Sequence, residues 1–177
     1  MVTKNLTIPL VKKFISPRKS SSRKGDNGIV LVVGGSYIYH GAPILASIAA
    51  LRCGTDLVYT CVPKINVATT RAISPNLIVI PLVDQKLTRG AVNKLIGALP
   101  RNLDSATIGM GLAIQDRNSL LLLVESLLNR DVRLSLDASA LVPEVLPLLK
   151  NKNVVVTPHA GEFKRLFRES PPNSKTH

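Results

Sequence analysis

The sequence predicts an α/β fold: a three-layer, doubly wound and mostly parallel sheet. Six short runs rich in β-branched residues punctuate the chain. Most are apolar at successive rather than alternate positions, the pattern of strands covered on both faces. Longer stretches with helical spacing lie between them, so strands and crossovers alternate. Right-handed crossovers are then expected.

In chain order, residues 1–22 form a basic segment, 23–170 the α/β domain and 171–177 a disordered polar tail. The predicted strands are 29–35 (IVLVVGG), 56–63 (DLVYTCVP), 77–83 (LIVIPLV), 106–111 (ATIGMG), 132–137 (VRLSLD) and 153–158 (NVVVTP). The crossover helices are 43–53, rich in Ala, Ile and Leu, then 88–99 and 117–129, where polar starts precede apolar spacing. The stretch 162–169 (EFKRLFRE) reads as a last helix with Phe163, Leu166 and Phe167 on one face, stopped by Pro171 and Pro172. On the residues alone this reads as an ordinary C-terminal helix with a frayed tail in preference to a domain incomplete at its C-terminus, whose helix face would still expect a partner.

Composition narrows the function. A chain of 177 residues with 45% hydrophobic and 19% charged residues can bury a core of its own. Apolar runs are too short and too often interrupted to span a membrane, and the N-terminus lacks a secretion signal, so a cytoplasmic protein is expected. Cys53 and Cys61 sit among apolar neighbours without metal-ligand spacing, and both read as structural thiols. The net charge is +12, and seven of those charges fall in the acid-free residues 1–24. Such an arm reads as a solvated N-terminus or as a polyanion-binding segment. Aromatic residues make up only 3%, so stacking platforms for single-stranded nucleic acid are scarce.

In open α/β sheets ligands bind beyond the carboxyl ends of the strands, where the strand order reverses. Strand one ends in Gly34-Gly35-Ser36, and a helix opens near Gly41-Ala42-Pro43. Glycines admit close backbone approach, and a helix N-terminus offers unpaired donors to an anion. Strand four ends in Gly109-Met110-Gly111. Each turn alone reads equally as a tight connection. Together they fall on the two strands that usually flank a switch point. Asp137, ending strand five, can bind a ribose hydroxyl, reach a metal through water, or cap the next turn. His159, after strand six, can donate to a phosphate or an amide carbonyl. Glu162 stands in the next helix's first turn, where capping is the favoured reading over holding magnesium through water. His40 receives no role, and no metal site or Ser-His-Asp arrangement is read.

Read in order, these turns resemble the NAD(P)H-hydrate dehydratases, a family with a ribokinase-like fold. The likeness runs from about Arg23 to Leu166. Lys24-Gly25-Asp26-Asn27-Gly28 followed by IVLVVGGS is similar to the family's opening strand and turn, and the stretch from Gly41 to Gly54 to its first helix. Gly109-Met110-Gly111-Leu112 stands for Gly-Pro-Gly-Leu, and Asp137 through Leu141 for Asp-Ala-Asp-Ala-Leu. Thr157 through Phe163 resembles Thr-Pro-His-Pro-Gly-Glu-Phe. Arg23 replaces a frequent His, and Met110 and Ala160 replace prolines, which loosens two turns.

The resemblance implies repair of NADH or NADPH hydrated on the nicotinamide ring. ADP or ATP, with Mg2+, phosphorylates the added hydroxyl, and phosphate then leaves. It implies that Ala42, Gly111 and His159 line the hydrated-cofactor site. Family members continue for about a hundred more residues. That part holds a Gly-Thr-Gly-Asp segment with the catalytic Asp, and nothing here matches it. No catalytic residue is therefore assigned. The chain alone is expected to have little or no activity, since phosphoryl transfer depends on positioning and charge stabilisation. A homo-oligomer or a complementing chain is the expected partner. The alternatives are a non-catalytic nucleotide-binding module and a nucleic-acid-associated protein using the basic arm.

Overall fold

The computed structural model describes residues 5–14 and 17–169. The predicted tail, 171–177, lies outside them. Six strands form one sheet: β1 (Ile29–Val33), β2 (Leu57–Pro63), β3 (Leu77–Leu82), β4 (Ser105–Ile108), β5 (Arg133–Leu136) and β6 (Val154–Val156). All neighbouring pairs are parallel, in the order β3-β2-β1-β4-β5-β6. The order reverses between β1 and β4, so the switch point falls between the two strands that end in glycines.

The successive apolar residues of β1 serve both faces. Ile29, Leu31 and Val33 enter the main core, which includes Ala91, Val92 and Leu95 of α4 (Arg89–Ala98) and Leu120, Leu123, Val124 and Leu127 of α5 (Arg117–Leu128). Val32 turns the other way and joins Val58, Leu77 and Met110 under α2 (Gly41–Arg52). The four α5 residues are fully buried, and each such side chain contributes about 1.5–3 kcal/mol by leaving water. Right-handed crossovers place α3 (Val67–Ile73) with α2 on this second face. A buried hydrogen bond from Thr60 Oγ1 to Ser47 Oγ, 2.8 Å, ties α2 to β2.

Three parts of the sequence reading are corrected. Strand four stops at Ile108, because Gly109 and Gly111 adopt φ of 120° and 64° and leave the extended region. Cys61 is buried, and burial pushes its thiol up, but Cys53 lies exposed at the end of α2. It is therefore not a core thiol. Six elements were not predicted: α1 (Ile8–Phe14), α3, α6 (Leu146–Leu149) and three 3-10 turns, at Ala138–Ala140, at Pro143–Val145 and at Lys64–Asn66, the last running directly into α3.

The segment before β1 is fixed at the amino edge of the sheet. Asp56, just ahead of β2, accepts from Gly25 N (2.9 Å), Asn27 N (3.0 Å) and Asn27 Nδ2 (3.1 Å), and pairs with Arg18. Asp104, just ahead of β4, accepts from Ile29 N at 2.7 Å. The described end of the basic segment is thus held on the side away from the strands' carboxyl ends. Among the described residues no helix is long and apolar enough to cross a membrane.

Candidate functional site

All six strands run the same way, so their carboxyl ends share one edge. Gly34, Gly35, Gly111, Asp137 and His159 all follow strands on that edge. The glycine turns of β1 and β4 meet directly: Gly35 N donates to Met110 O at 2.9 Å and Gly109 N to Val33 O at 3.0 Å. A Cβ on Gly34 would stand 2.7 Å from Met110 O, and one on Gly109 only 1.9 Å from Asp137 O. Two backbones come this close only where side chains are missing.

The loop from Ser36 to His40 folds over this junction. Ser36 N donates to Tyr39 O at 2.7 Å, which closes the loop. A Cβ on Gly35 would meet Tyr39 O at 3.1 Å, and one on Gly111 would meet Tyr39 Cβ at 2.8 Å. Tyr39 therefore spans both glycines while its side chain stays largely exposed. Asn66 sets the loop from the other side, donating from Nδ2 to Ser36 O at 2.8 Å. Asn66 is itself buried.

Ala42 is exposed in the first turn of α2, directly after this loop. Its helix is preceded by His40, which makes no side-chain capping bond. The first-turn amides of α2 thus keep their donors available. Thr88 caps α4 by accepting from Ala91 N, and Asp116 caps α5 by accepting from Ser119 N. The helix after β6, α7 (Ala160–Phe167), is closed as well. There His159 Nδ1 accepts from Gly161 N at 3.0 Å and Glu162 N at 3.4 Å, while Glu162 Oε2 accepts from His159 N at 3.0 Å. The capping reading of Glu162 holds.

This capping box fixes the imidazole. With Nδ1 accepting, Nε2 is the nitrogen left to donate, and it faces Glu162 Oε1 at 3.4 Å. His159 is exposed and keeps a donor on the carboxyl edge. Asp137 lies between the two ends of the site, with Oδ1 accepting from Thr157 Oγ1 at 2.8 Å, and it makes no cap to the turn that follows. With neighbouring strands about 4.8 Å apart, β6 stands roughly 14 Å from β1. The predicted residues thus line one long edge and do not form a tight cluster.

Among the described residues no three His, Cys, Asp or Glu side chains gather where they could hold a cation. The carboxylates of Asp137 and Glu162 are engaged with Thr157 and the α7 cap. These residues do not make a magnesium cage, and such an ion is suited instead to phosphate oxygens and water.

Asn66 and the loop from Ser36 to Tyr39 escaped the sequence reading. Asn66 follows the carboxyl end of β2, so the rule that singled out the other turns also covers it. Beside it, a cavity of about 540 Å³ opens between α3 and the end of β3, lined by Lys64, Val67, Ala68, Arg71, Pro81 and Val83. A second, of about 410 Å³, adjoins Leu112, Gln115, Arg117 and Ser139 beyond β4 and β5.

Comparison with known proteins fits this arrangement. A profile described as NAD(P)H-hydrate dehydratase matches residues 30–177. The chain is 83% identical, over 99% of its length, to an ADP-dependent (S)-NAD(P)H-hydrate dehydratase of Nitrosopumilus maritimus, and covers 61% of that protein. It is 68% identical, over 92% of its length, to the protein of the same description in Cenarchaeum symbiosum, covering 56% of it. The chain thus spans about three fifths of the length of these relatives. Among solved structures, an ADP/ATP-dependent NAD(P)H-hydrate dehydratase of Bacillus subtilis, co-crystallised with ATP/Mg2+, superposes with a TM-score of 0.67. It is 27% identical, and the match covers 85% of this chain and 50% of that one. A ribokinase-like superfamily protein of Enterococcus faecalis gives a TM-score of 0.67 at 25% identity, covering 91% and 55%. A glycine-lined switch point on a ribokinase-like sheet and a profile match over most of the sequence agree: the chain belongs to the NAD(P)H-hydrate dehydratase family.

Proposed function

We propose that this chain holds the hydrated-cofactor side of an ADP-dependent (S)-NAD(P)H-hydrate dehydratase. In the reaction, ADP phosphorylates the added ring hydroxyl, leaving AMP. Inorganic phosphate is then eliminated as the ring double bond re-forms. ADP is favoured over ATP because the relatives at 83% and 68% identity carry the ADP-dependent description. The observation that supports this reading best is the junction at the switch point. Gly34 and Gly35 lie directly against Met110, under the Ser36–His40 loop and beside an uncapped helix start.

In this reading Gly35 and Gly111 let the Tyr39 loop sit close over the switch point, and the dinucleotide lies against that loop and the turns beside it. The open amides at the start of α2, around Ala42, accept its phosphate charge. His159 donates from Nε2 at the far end of the edge. These are binding and orienting roles, and no proton transfer or covalent step is assigned to them. The transferring phosphoryl group needs its own anion hole. In the family that hole belongs to a Gly-Thr-Gly-Asp segment, which this sequence does not contain. The chain is proposed to bind the substrate and to need a complementing segment or chain for turnover. Magnesium, if used, enters with the nucleotide phosphates.

The test is a thermal unfolding series with NADPH hydrate, followed by ADP addition with absorbance read for regenerated NADPH. The expected result is a raised unfolding midpoint with the hydrate and little or no regeneration until a segment bearing Gly-Thr-Gly-Asp is supplied. A folded chain whose midpoint ignores the hydrate at saturating concentration would overturn the proposal.

A further inference from the structure

The cavity between α3 and β3 has no part in the site described above. Its wall is a single helical face: Lys64, Val67, Ala68 and Arg71 recur at i, i+3, i+4 and i+7 along the 3-10 turn and α3. Pro81 and Val83, at the end of β3, form the facing wall. The lining is thus apolar along the helix and carries two long cationic side chains that can reach in from either side. It includes no carboxylate, and among the described residues neither Lys64 nor Arg71 enters an ion pair. The nearby Asp84 has its carboxylate occupied by the Thr88 hydroxyl at 2.6 Å. A volume of about 540 Å³ is in the range of small-molecule sites. Flat apolar surface between two free cations suits an aromatic ring carrying a phosphate.

The cavity lies close to the glycine turn of β1, with the buried Asn66 between them. Asn66 lies between Lys64 and Val67 in the chain, and its Nδ2 stands 3.4 Å from the Cβ position of Gly35 while donating to Ser36 O. β3 is two strands from β1, roughly 10 Å along the same edge. A dinucleotide seated at the switch point has an adenosine end long enough to cover that span.

We propose that this cavity receives the adenosine end of the hydrated dinucleotide, with Lys64 and Arg71 meeting its ribose 2′-phosphate, so that the phosphorylated form is preferred. The inference rests on the proposed cofactor site and adds a determinant of specificity to it. Neither side chain touches the reacting ring, so both are specificity residues and not catalytic ones.

The experiment titrates the full chain and its Lys64→Ala/Arg71→Ala variant with NADPH hydrate, NADH hydrate and adenosine 2′,5′-bisphosphate by calorimetry. Both side chains are exposed, and circular dichroism checks that the variant is folded. The wild type is expected to bind NADPH hydrate about tenfold more tightly than NADH hydrate. In the double variant the two hydrates bind within about twofold of each other, with the NADH hydrate affinity retained. Adenosine 2′,5′-bisphosphate binds the wild type and is lost from the variant. Equal binding of both hydrates by the wild type, or an undiminished preference in the variant, overturns the proposal. If neither hydrate binds but the bisphosphate does, and only to the wild type, the cofactor-site reading falls and the cavity stands as an adenosine-phosphate site. If nothing binds, both fall.

Discussion

Gly109 and Gly111 are two residues apart, yet they are constrained for different reasons. At Gly109 the backbone is at φ 120°, a region closed to side chains, and a Cβ would lie 1.9 Å from Asp137 O and 2.7 Å from Ala140 Cβ. Nothing there can yield without moving the end of β5. Gly109→Ala is expected to destabilise the chain by about 3–5 kcal/mol, seen as a large fall in the urea midpoint or as failure to fold. At Gly111 the φ of 64° is one that other residues adopt at about 1–2 kcal/mol, and the clash is with Tyr39 of an exposed loop. Gly111→Ala is expected to fold. It should shift the Ser36–His40 loop and weaken NADPH hydrate binding about tenfold, with only a small change in midpoint. Equal losses of stability in the two variants would contradict this division.

At the scale of elements, the helix caps separate what was readable from what was not. Asp116 before α5 is a cap that local sequence can announce, and it behaves as one. The N–H of Ser119 first, and then the Ser119 hydroxyl, hold its carboxyl below the usual carboxylate range. Because the folded value lies below the unfolded one, the ionised cap stabilises the fold above the ordinary carboxylate pKa of about 4. That stability disappears as the pH falls through the lowered folded value. Asp116→Asn keeps a neutral acceptor. Its urea midpoint should lie below wild type at pH 6 and converge on it towards pH 2, whereas parallel curves would remove the carboxylate from the acid response. The strands were legible for a similar local reason, since runs such as IVLVV have few other uses than a two-faced sheet. α3 was not, because VATTRAI is rich in β-branched residues and poor in helix propensity. Its position is set by tertiary contact: it packs on β3, and its N-cap Asn66 donates from Nδ2 to Ser36 O, thirty residues away, at 2.8 Å. The glycine turns could be read as chemistry because their spacing reports the backbone. The Tyr39 loop could not, since its place depends on Gly111, which lies far along the chain.

For the whole molecule, the two sheet edges are unequally protected. β3, at one edge, carries Pro81, which removes a ladder donor and blunts strand addition. At the other edge, among the described residues, β6 is bare Val154-Val155-Val156 paired only to β5, and Val155 is 59% exposed. Beside it α7 buries Leu166 but leaves Phe167 37% exposed, its ring centroid 4.6 Å from that of Phe163. An uncapped edge of three β-branched residues next to exposed aromatic surface favours pairing with another strand. At micromolar concentration the chain should therefore self-associate through β6, visible by light scattering coupled to size exclusion. Val155→Lys places a charge on that edge and is expected to shift the population towards monomer with little loss of stability, because the side chain is already largely in water. Leu45→Lys on α2, where Leu45 is 71% exposed, is the matched control: it removes as much exposed apolar surface without touching a strand edge. Dissociation by both substitutions would assign the association to general hydrophobicity. Dissociation by Val155→Lys alone would assign it to the open ladder of β6.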